Sequence, residues 1–237
     1  MCRSTDSRDK RTRVGALVET DGGTNILIDT PPELRLQLIA ADVSRVDAIL
    51  FTHDHADHVH GIDDIRALSD RSDQPIDMYG PPETMERLAK RFAYIFDDSI
   101  KALPGTSKPE GRPHAVLPGK SFRVGDVDVL PVAVPHGPVS VYGYRIGNLG
   151  YITDAKALPD EAVRAFQGVS VLVLNALFRT PHPTHLSLSE AVDAAKKIGA
   201  RQTFLTHLTH RTGHAELERE LPRGIAPAFD GLTVQVA

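Results

Sequence analysis

The chain has 237 residues, 41% of them hydrophobic and 24% charged, which is enough for a sizeable buried core and excludes a disordered chain. Twenty-seven basic residues against 31 acidic ones give a formal charge of −4, a balance that disfavours affinity built on nucleic-acid backbone contacts. A lone cysteine forms no intrachain disulfide, no run approaches the roughly eighteen apolar residues of a membrane helix, and residues 1–7 lack the apolar core of a signal peptide; a cytoplasmic protein without membrane contact is expected.

Residues 14–19 and 25–29 are apolar or β-branched runs separated by Asp21-Gly22-Gly23, a hairpin pattern. Pro31-Pro32-Glu33 opens a helix to about residue 41, with Leu34, Leu38 and Ala41 at helical spacing. A strand at 46–51, apolar except for Asp47, leads into a histidine-rich segment, and a helical pattern restarts at 61–68. A strand at 76–79 and a helix at 82–91 follow, then Phe92, Tyr94 and Phe96, an alternating aromatic set that reads as core or as pocket wall. Residues 103–113, rich in Pro, Gly, Ser and Lys, read as a surface loop, with a substrate lid as the alternative. Residues 116–117, 121–124, 127–134, 139–146 and 150–153 form an all-β stretch. The chain then alternates helix 159–166, strand 169–174, helix 188–198, strand 203–206, helix 214–221 and a last strand at 233–236. Strands and helices interleave without a linker or repeat, which predicts one α/β domain over 1–237 with at least two sheets and helices outside.

Histidine usage carries the chemistry. Of 11 histidines, His53, His55, His58 and His60 fall within eight residues. In Thr52-His53-Asp54-His55-Ala56-Asp57-His58, side-chain alternation lets His53 and His55 face one point, while Asp57 and His58 on the following turn face a neighbouring one. Imidazole and carboxylate donors suit zinc, iron or manganese, and the absence of a cysteine set argues against a thiolate site. Further ligands must come from elsewhere. Three later strand ends lead to a polar donor in the same way: 132–134 to His136, 151–153 to Asp154, and 204–206 to His207.

Thr-His-x-His-x-Asp-His followed by His, Asp and His in that order resembles the metallo-β-lactamase-fold superfamily of hydrolases. The resemblance implies a four-layer α/β/β/α sandwich holding two divalent metals, zinc or manganese. It would put His53, His55 and His136 on one metal, Asp57, His58 and His207 on the other, and Asp154 across both. Two dications held about 3.5–4 Å apart would polarise a bridging water toward hydroxide near pH 7. Their residual positive charge would suit a phosphoryl group.

Four further segments are similar to the phosphoribosyl cyclic phosphate phosphodiesterase branch: Gly61-Ile62-Asp63-Asp64-Ile65-Arg66, Thr184-His185-Leu186-Ser187, Leu205-Thr206-His207-Leu208-Thr209-His210 and Phe229-Asp230-Gly231-Leu232. That resemblance implies attack of bridging hydroxide on a small, cyclic phosphodiester, with Asp57 in the metal machinery and His185 protonating the leaving oxygen. Arg66 would contact substrate, a helix salt bridge being the alternative, and Asn175 would support a ligand from outside. The branch carries a cysteine run that, with a histidine matching His210, holds a structural zinc. Here only Cys2 stands for that run, so Cys2 and His210 are expected to be its remnant, in a chain lacking its first strand. His60, His114, His182 and His214 receive structural or exposed roles. The competing functions are a tRNA 3′-processing endonuclease, a thioester hydrolase, a β-lactamase proper and a metal-binding protein without turnover. The expected partner is a small phosphodiester, with nucleic acid and membrane disfavoured and a homodimer left open.

Overall fold

In the computed structural model, which describes residues 3–237, the chain is mixed α/β with two sheets and divides into two compact units. One comprises Arg13–Val127, the other residues 3–12 with Asp128–Ala237.

In the first unit β1 (Ala16–Glu19) and β2 (Asn25–Ile28) form the expected antiparallel hairpin, with Ala16 opposite Ile28. β3 (Ala48–Leu50), β4 (Ile76–Gly80) and β5 (Gly111–Ala115) then add in parallel, giving the order β1-β2-β3-β4-β5. Parallel neighbours require crossover segments, and helices supply them. α1 (Leu34–Ala40) joins β2 to β3; α2 (Ala56–Val59), a tight turn at Ile62–Ile65 and α3 (Arg66–Ser72) join β3 to β4; α4 (Pro82–Arg91) and α5 (Ala93–Phe96) join β4 to β5. Leu34 and Leu38 of α1, Met85 and Leu88 of α4, and Ile62 and Ile65 pack against Leu27, Ile49, Phe51 and Met78 of the sheet. Ile26, Ile28, Ala48 and Leu50 on the alternate face are buried too, which is why β3 reads as continuously apolar. Phe92, Tyr94 and Phe96 pack against this core.

Glycine 61 ties this packing to the histidine segment. A Cβ there would lie 2.0 Å from the Pro31 carbonyl oxygen and 2.9 Å from Leu34 Cβ. The Gly61 amide donates to Thr30 O at 2.9 Å, and the Thr30 amide donates to His58 O at 2.7 Å. Because the obstacle is backbone, Gly61→Ala is expected to cost at least about 2 kcal/mol. Urea unfolding should show a lowered midpoint at unchanged slope; an unshifted midpoint would refute the close approach.

The second unit opens with an antiparallel meander of β7 (Val127–His136), β8 (Val139–Ile146) and β9 (Leu149–Ile152); β6 (Phe122–Val124) is a short strand before it. β10 (Val171–Asn175), β11 (Gln202–Thr206) and β12 (Ile225–Pro227) continue in parallel, in the order β12-β11-β10-β9-β8-β7. α6 (Asp160–Phe166), α7 (Leu188–Ile198) and α8 (His214–Glu220) are the crossovers. Phe166, Leu172, Leu174, Ala191, Ala195 and Ile198 form the core under them.

Helix α7 shows how sequence sets an element's ends. Ser187 caps it by accepting from the Glu190 amide, Glu190 accepts in return from the Ser187 amide at 2.7 Å, and Gly199 closes it in the left-handed region. Lys156 also donates to Glu190 at 2.8 Å. The Lys156 bond first, and then the Ser187 amide, lower the Glu190 carboxyl from 4.5 to about 2. The folded state therefore favours the carboxylate. Its stabilisation is complete above pH 4.5 and is lost as pH falls toward 2. The pair is partly solvent-exposed, so screening reduces its worth, and Glu190→Gln is expected to cost about 1 kcal/mol at pH 7. The wild-type advantage in urea midpoint should shrink on acidification; a gap independent of pH would refute the ionic part.

Three expectations are corrected. Residues 111–113 are strand rather than loop, since Gly111 starts β5 against Met78, where a Cβ would meet the sulfur at 2.8 Å. The last strand is Ile225–Pro227, set by parallel pairing of Thr203 with Ile225, and 233–236 forms none. Residues 116–117 form no strand either. No helix among the described residues is long and apolar enough to cross a membrane.

Candidate metal centre

Each unit presents its own set of donors. In the first, the chain leaves β3 through Phe51 and Thr52, both fully buried, and enters the histidine segment. His53 Nε2 lies 3.0 Å from His55 Nδ1. Two nitrogens on a tetrahedral ion with bonds of about 2.0–2.1 Å sit about 3.3 Å apart, so this spacing suits a shared cation. His55 caps α2, which places Asp57 and His58 in its first turn, with Asp57 Oδ2 3.6 Å from His58 Nε2.

Outer partners hold these rings. Thr52 Oγ1 contacts His53 Nδ1 at 2.9 Å, and Asp29 Oδ2 contacts His58 Nδ1 at 2.7 Å. Asp29 accepts in addition from the Thr52 amide and hydroxyl, both at 2.8 Å. Its burial raises its pKa, while His58 and Thr52 oppose that shift. A carboxylate behind an imidazole fixes the ring's tautomer and aims the other nitrogen outward. Asp54, between the first two histidines, is clamped by α4. Arg91 donates to its carboxylate and its carbonyl, each at 3.0 Å, and Arg87 donates to the carboxylate at 3.2 Å. Sequence alone does not mark Asp29, Arg87 or Arg91 as site residues. Asp29 offered one signal, its place at the end of an apolar strand.

In the second unit the donors sit where strands end. β7 ends on His136, β9 runs into Asp154 and β11 into His207. Asp154 and His207 take positive φ, 57° and 56°, which turns both side chains out of strand alternation. Asp154 is buried and faces imidazoles with both oxygens. Oδ2 is 3.2 Å from His185 Nε2 and 3.8 Å from His136 Nε2, and Oδ1 is 3.2 Å from His207 Nε2. Donor atoms of Asp154, His185 and His207 lie within 4.8 Å of one another, close enough for one ion. The Thr153 hydroxyl donates to Oδ1 at 2.8 Å. Asn175, which ends β10, braces the next residue: its amide donates to Ala155 O at 3.0 Å and its carbonyl accepts from Ala155 N at 2.8 Å. His136 Nδ1 donates to Thr184 O at 2.9 Å. The donor set thus fits divalent metals: imidazoles and carboxylates, several with their rear nitrogen fixed.

Other candidates lie elsewhere. Arg66 donates to both oxygens of Asp63 and to the Ser107 carbonyl, so it braces the loop before β5. Asp63 also accepts from the Tyr94 hydroxyl at 2.9 Å, and burial, then that bond, push Tyr94 up to about 12. His210 is exposed, and Cys2 lies outside the described residues. His114 pairs with Asp77 at 2.8 Å and stacks on Tyr79, while buried His214 starts α8 with its amide donating to Asp9. His60 is exposed at the end of α2.

Comparison with known proteins agrees with this chemistry. A family model described as a beta-lactamase superfamily domain matches residues 24–208. The crystal structure of a diphosphatase from the PhnP family superposes with a TM-score of 0.88 at 36% identity, covering 98% of this chain and 86% of that one. An octanoyltransferase of Porphyromonas gingivalis (strain ATCC BAA-308 / W83) is 35% identical over 98% of this chain but 46% of its own length, so this chain spans about half of that relative. A ribonuclease Z of Bradyrhizobium sp. (strain ORS 278) is 28% identical over 94% of both. With histidine and aspartate clusters able to bind metal ions on a mixed α/β fold, the chain belongs to the metallo-β-lactamase-fold hydrolases, in the PhnP family.

Proposed function

We propose that this protein is a metal-dependent phosphodiesterase acting on small phosphodiesters, cyclic ones foremost. The observation that carries the reading is the Asp154 carboxylate, which turns one oxygen toward His136 and His185 and the other toward His207. His53, His55 and His136 would hold one zinc or manganese ion, Asp57, His58 and His207 the second, and Asp154 both; family membership supports joining the two donor sets. When bound, such a pair supplies activated water and positive charge for attack at phosphorus.

The chain's own residues do the rest. Asp29 and Thr52 orient His58 and His53, the Thr184 carbonyl orients His136, and the clamped Asp54 keeps the two leading histidines at their spacing. His185, 9% exposed, carries the proton to the departing alkoxide oxygen. The PhnP-family diphosphatase supports a phosphate substrate. The Bradyrhizobium ribonuclease Z supports a second reading, RNA cleavage, against which the charge of −4 counts.

Metal-reconstituted protein should be screened against cyclic and linear phosphodiesters, a tRNA precursor and a thioester. Turnover of small phosphodiesters is expected. Inertness toward them alongside cutting of the tRNA precursor or thioester would overturn the reading, as would metal binding with no turnover of any substrate.

A further inference from the structure

Thr184 sits between two imidazoles to which the proposed function gives roles. Its carbonyl accepts from His136 Nδ1 at 2.9 Å, and its hydroxyl lies 2.8 Å from His185 Nδ1. The same hydroxyl lies 3.2 Å from Nδ1 of His182, a residue with no role so far. Glycine 137, with φ of 60°, permits this approach: a Cβ there would come within 2.7 Å of Thr184 Cγ2.

Proton counting gives one set of bond directions that uses every contact. The Thr184 amide donates to His182 Nδ1 at 3.4 Å, so that nitrogen is an acceptor and carries no proton. The arrangement that uses every one of these contacts sends the single Thr184 hydroxyl proton to His182 Nδ1, 3.2 Å away. The hydroxyl oxygen is then left to accept, and the partner within 2.8 Å is His185 Nδ1–H. The two Nδ1 atoms are 3.3 Å apart, which a proton on each would crowd. His185 then holds a proton on Nδ1 and, as the imidazolium that acts as acid, a second on Nε2, which faces Asp154 Oδ2 3.2 Å away. The His182 ring is itself packed, 5.5 Å from Phe178.

We propose that Thr184 and His182 are a positioning pair that holds the Nδ1–H of His185 and so aims Nε2 at the leaving oxygen: the imidazolium gives up its Nε2 proton to that oxygen and is left as the neutral Nδ1–H tautomer that the pair favours. The proposal rests on the role given to His185 above.

Thr184→Val removes the hydroxyl but keeps the carbonyl that holds His136. With metals bound, it is expected to keep its metal content and KM and to lose about 10–100-fold in kcat on alkyl phosphodiesters. Thr184→Ser should recover most of that loss. His182→Asn, whose amide oxygen can stand where Nδ1 stands, should retain activity, whereas His182→Phe should lose it. Imidazole nitrogen NMR should show His185 protonated at Nδ1 in the wild type and a mixture of tautomers in Thr184→Val. Unchanged kcat in Thr184→Val, or a Ser variant as slow as the Val variant, would overturn the pair. If Thr184→Val fails to fold or to hold metal, the His182 variants decide: equal activity of Asn and Phe overturns the proposal. His185→Ala run in parallel separates the two levels. If it leaves alkyl phosphodiester turnover intact, the role of His185 fails; if it slows turnover while Thr184→Val does not, the positioning pair alone fails.

Discussion

Replacing Asp154 by alanine is expected to lower hydrolysis at least about 10³-fold, a loss of about 4 kcal/mol in transition-state stabilisation, and to remove bound metal with it. Asp154 is the carboxylate whose two oxygens both face imidazole nitrogens, within 3.2 Å of His185 on one side and of His207 on the other. Alanine removes both oxygens and leaves the imidazoles without the negative charge between them. The backbone complicates the variant, since φ at this position is 57°, and alanine in the left-handed region costs about 1–2 kcal/mol. Asp154→Asn is the control: asparagine tolerates that conformation and keeps one carbonyl oxygen, but lacks the charge. Both variants should fold, and equilibrium dialysis should show less than the wild-type metal stoichiometry in each, the alanine variant being the poorer. An alanine variant with full stoichiometry and intact turnover would refute a metal-holding role for Asp154.

Much of this donor set was legible because one local rule repeats: a buried strand delivers a polar side chain at its end. His136, Asp154 and His207 follow apolar strands β7, β9 and β11, and each could be read from an apolar run followed by a ligand-type residue. Asp29 obeys the same rule after β2, yet one aspartate after a hairpin strand carries no chemistry alone. Its meaning comes from His58, 29 residues away in sequence, and from Thr52. Arg87 and Arg91 were opaque for a similar reason. At i, i+4 on α4 they read as a solvated helix face, and only the fold brings Asp54 under them. Strands β5 and β12 escaped because they are short and contain proline, which suits an edge strand but erases the alternation that marks one. His182 could not be assigned from its spacing to His185, since an i, i+3 pair in an irregular loop has no fixed geometry; the Thr184 hydroxyl between them supplies it.

Replacing His185 by alanine is expected to leave metal in place and to slow cleavage of alkyl phosphodiesters by about 10²–10⁴-fold, the span of a lost general acid. An alkoxide is a poor leaving group and needs its proton as the bond to phosphorus breaks, so the full effect should appear there. A nitrophenolate departs readily as an anion, so with an activated aryl diester the same variant should run close to wild type. The contrast between the two substrates distinguishes proton transfer from mere support. The structure sets the competing outcome, because His185 Nε2 is also within ligand distance of Asp154 and His207. A ligand role predicts metal loss in His185→Ala and equal slowing with both leaving groups. A proton-transfer role predicts full metal content and slowing confined to the alkyl ester. Metal stoichiometry and the ratio of the two rates, taken on one preparation, therefore decide between them.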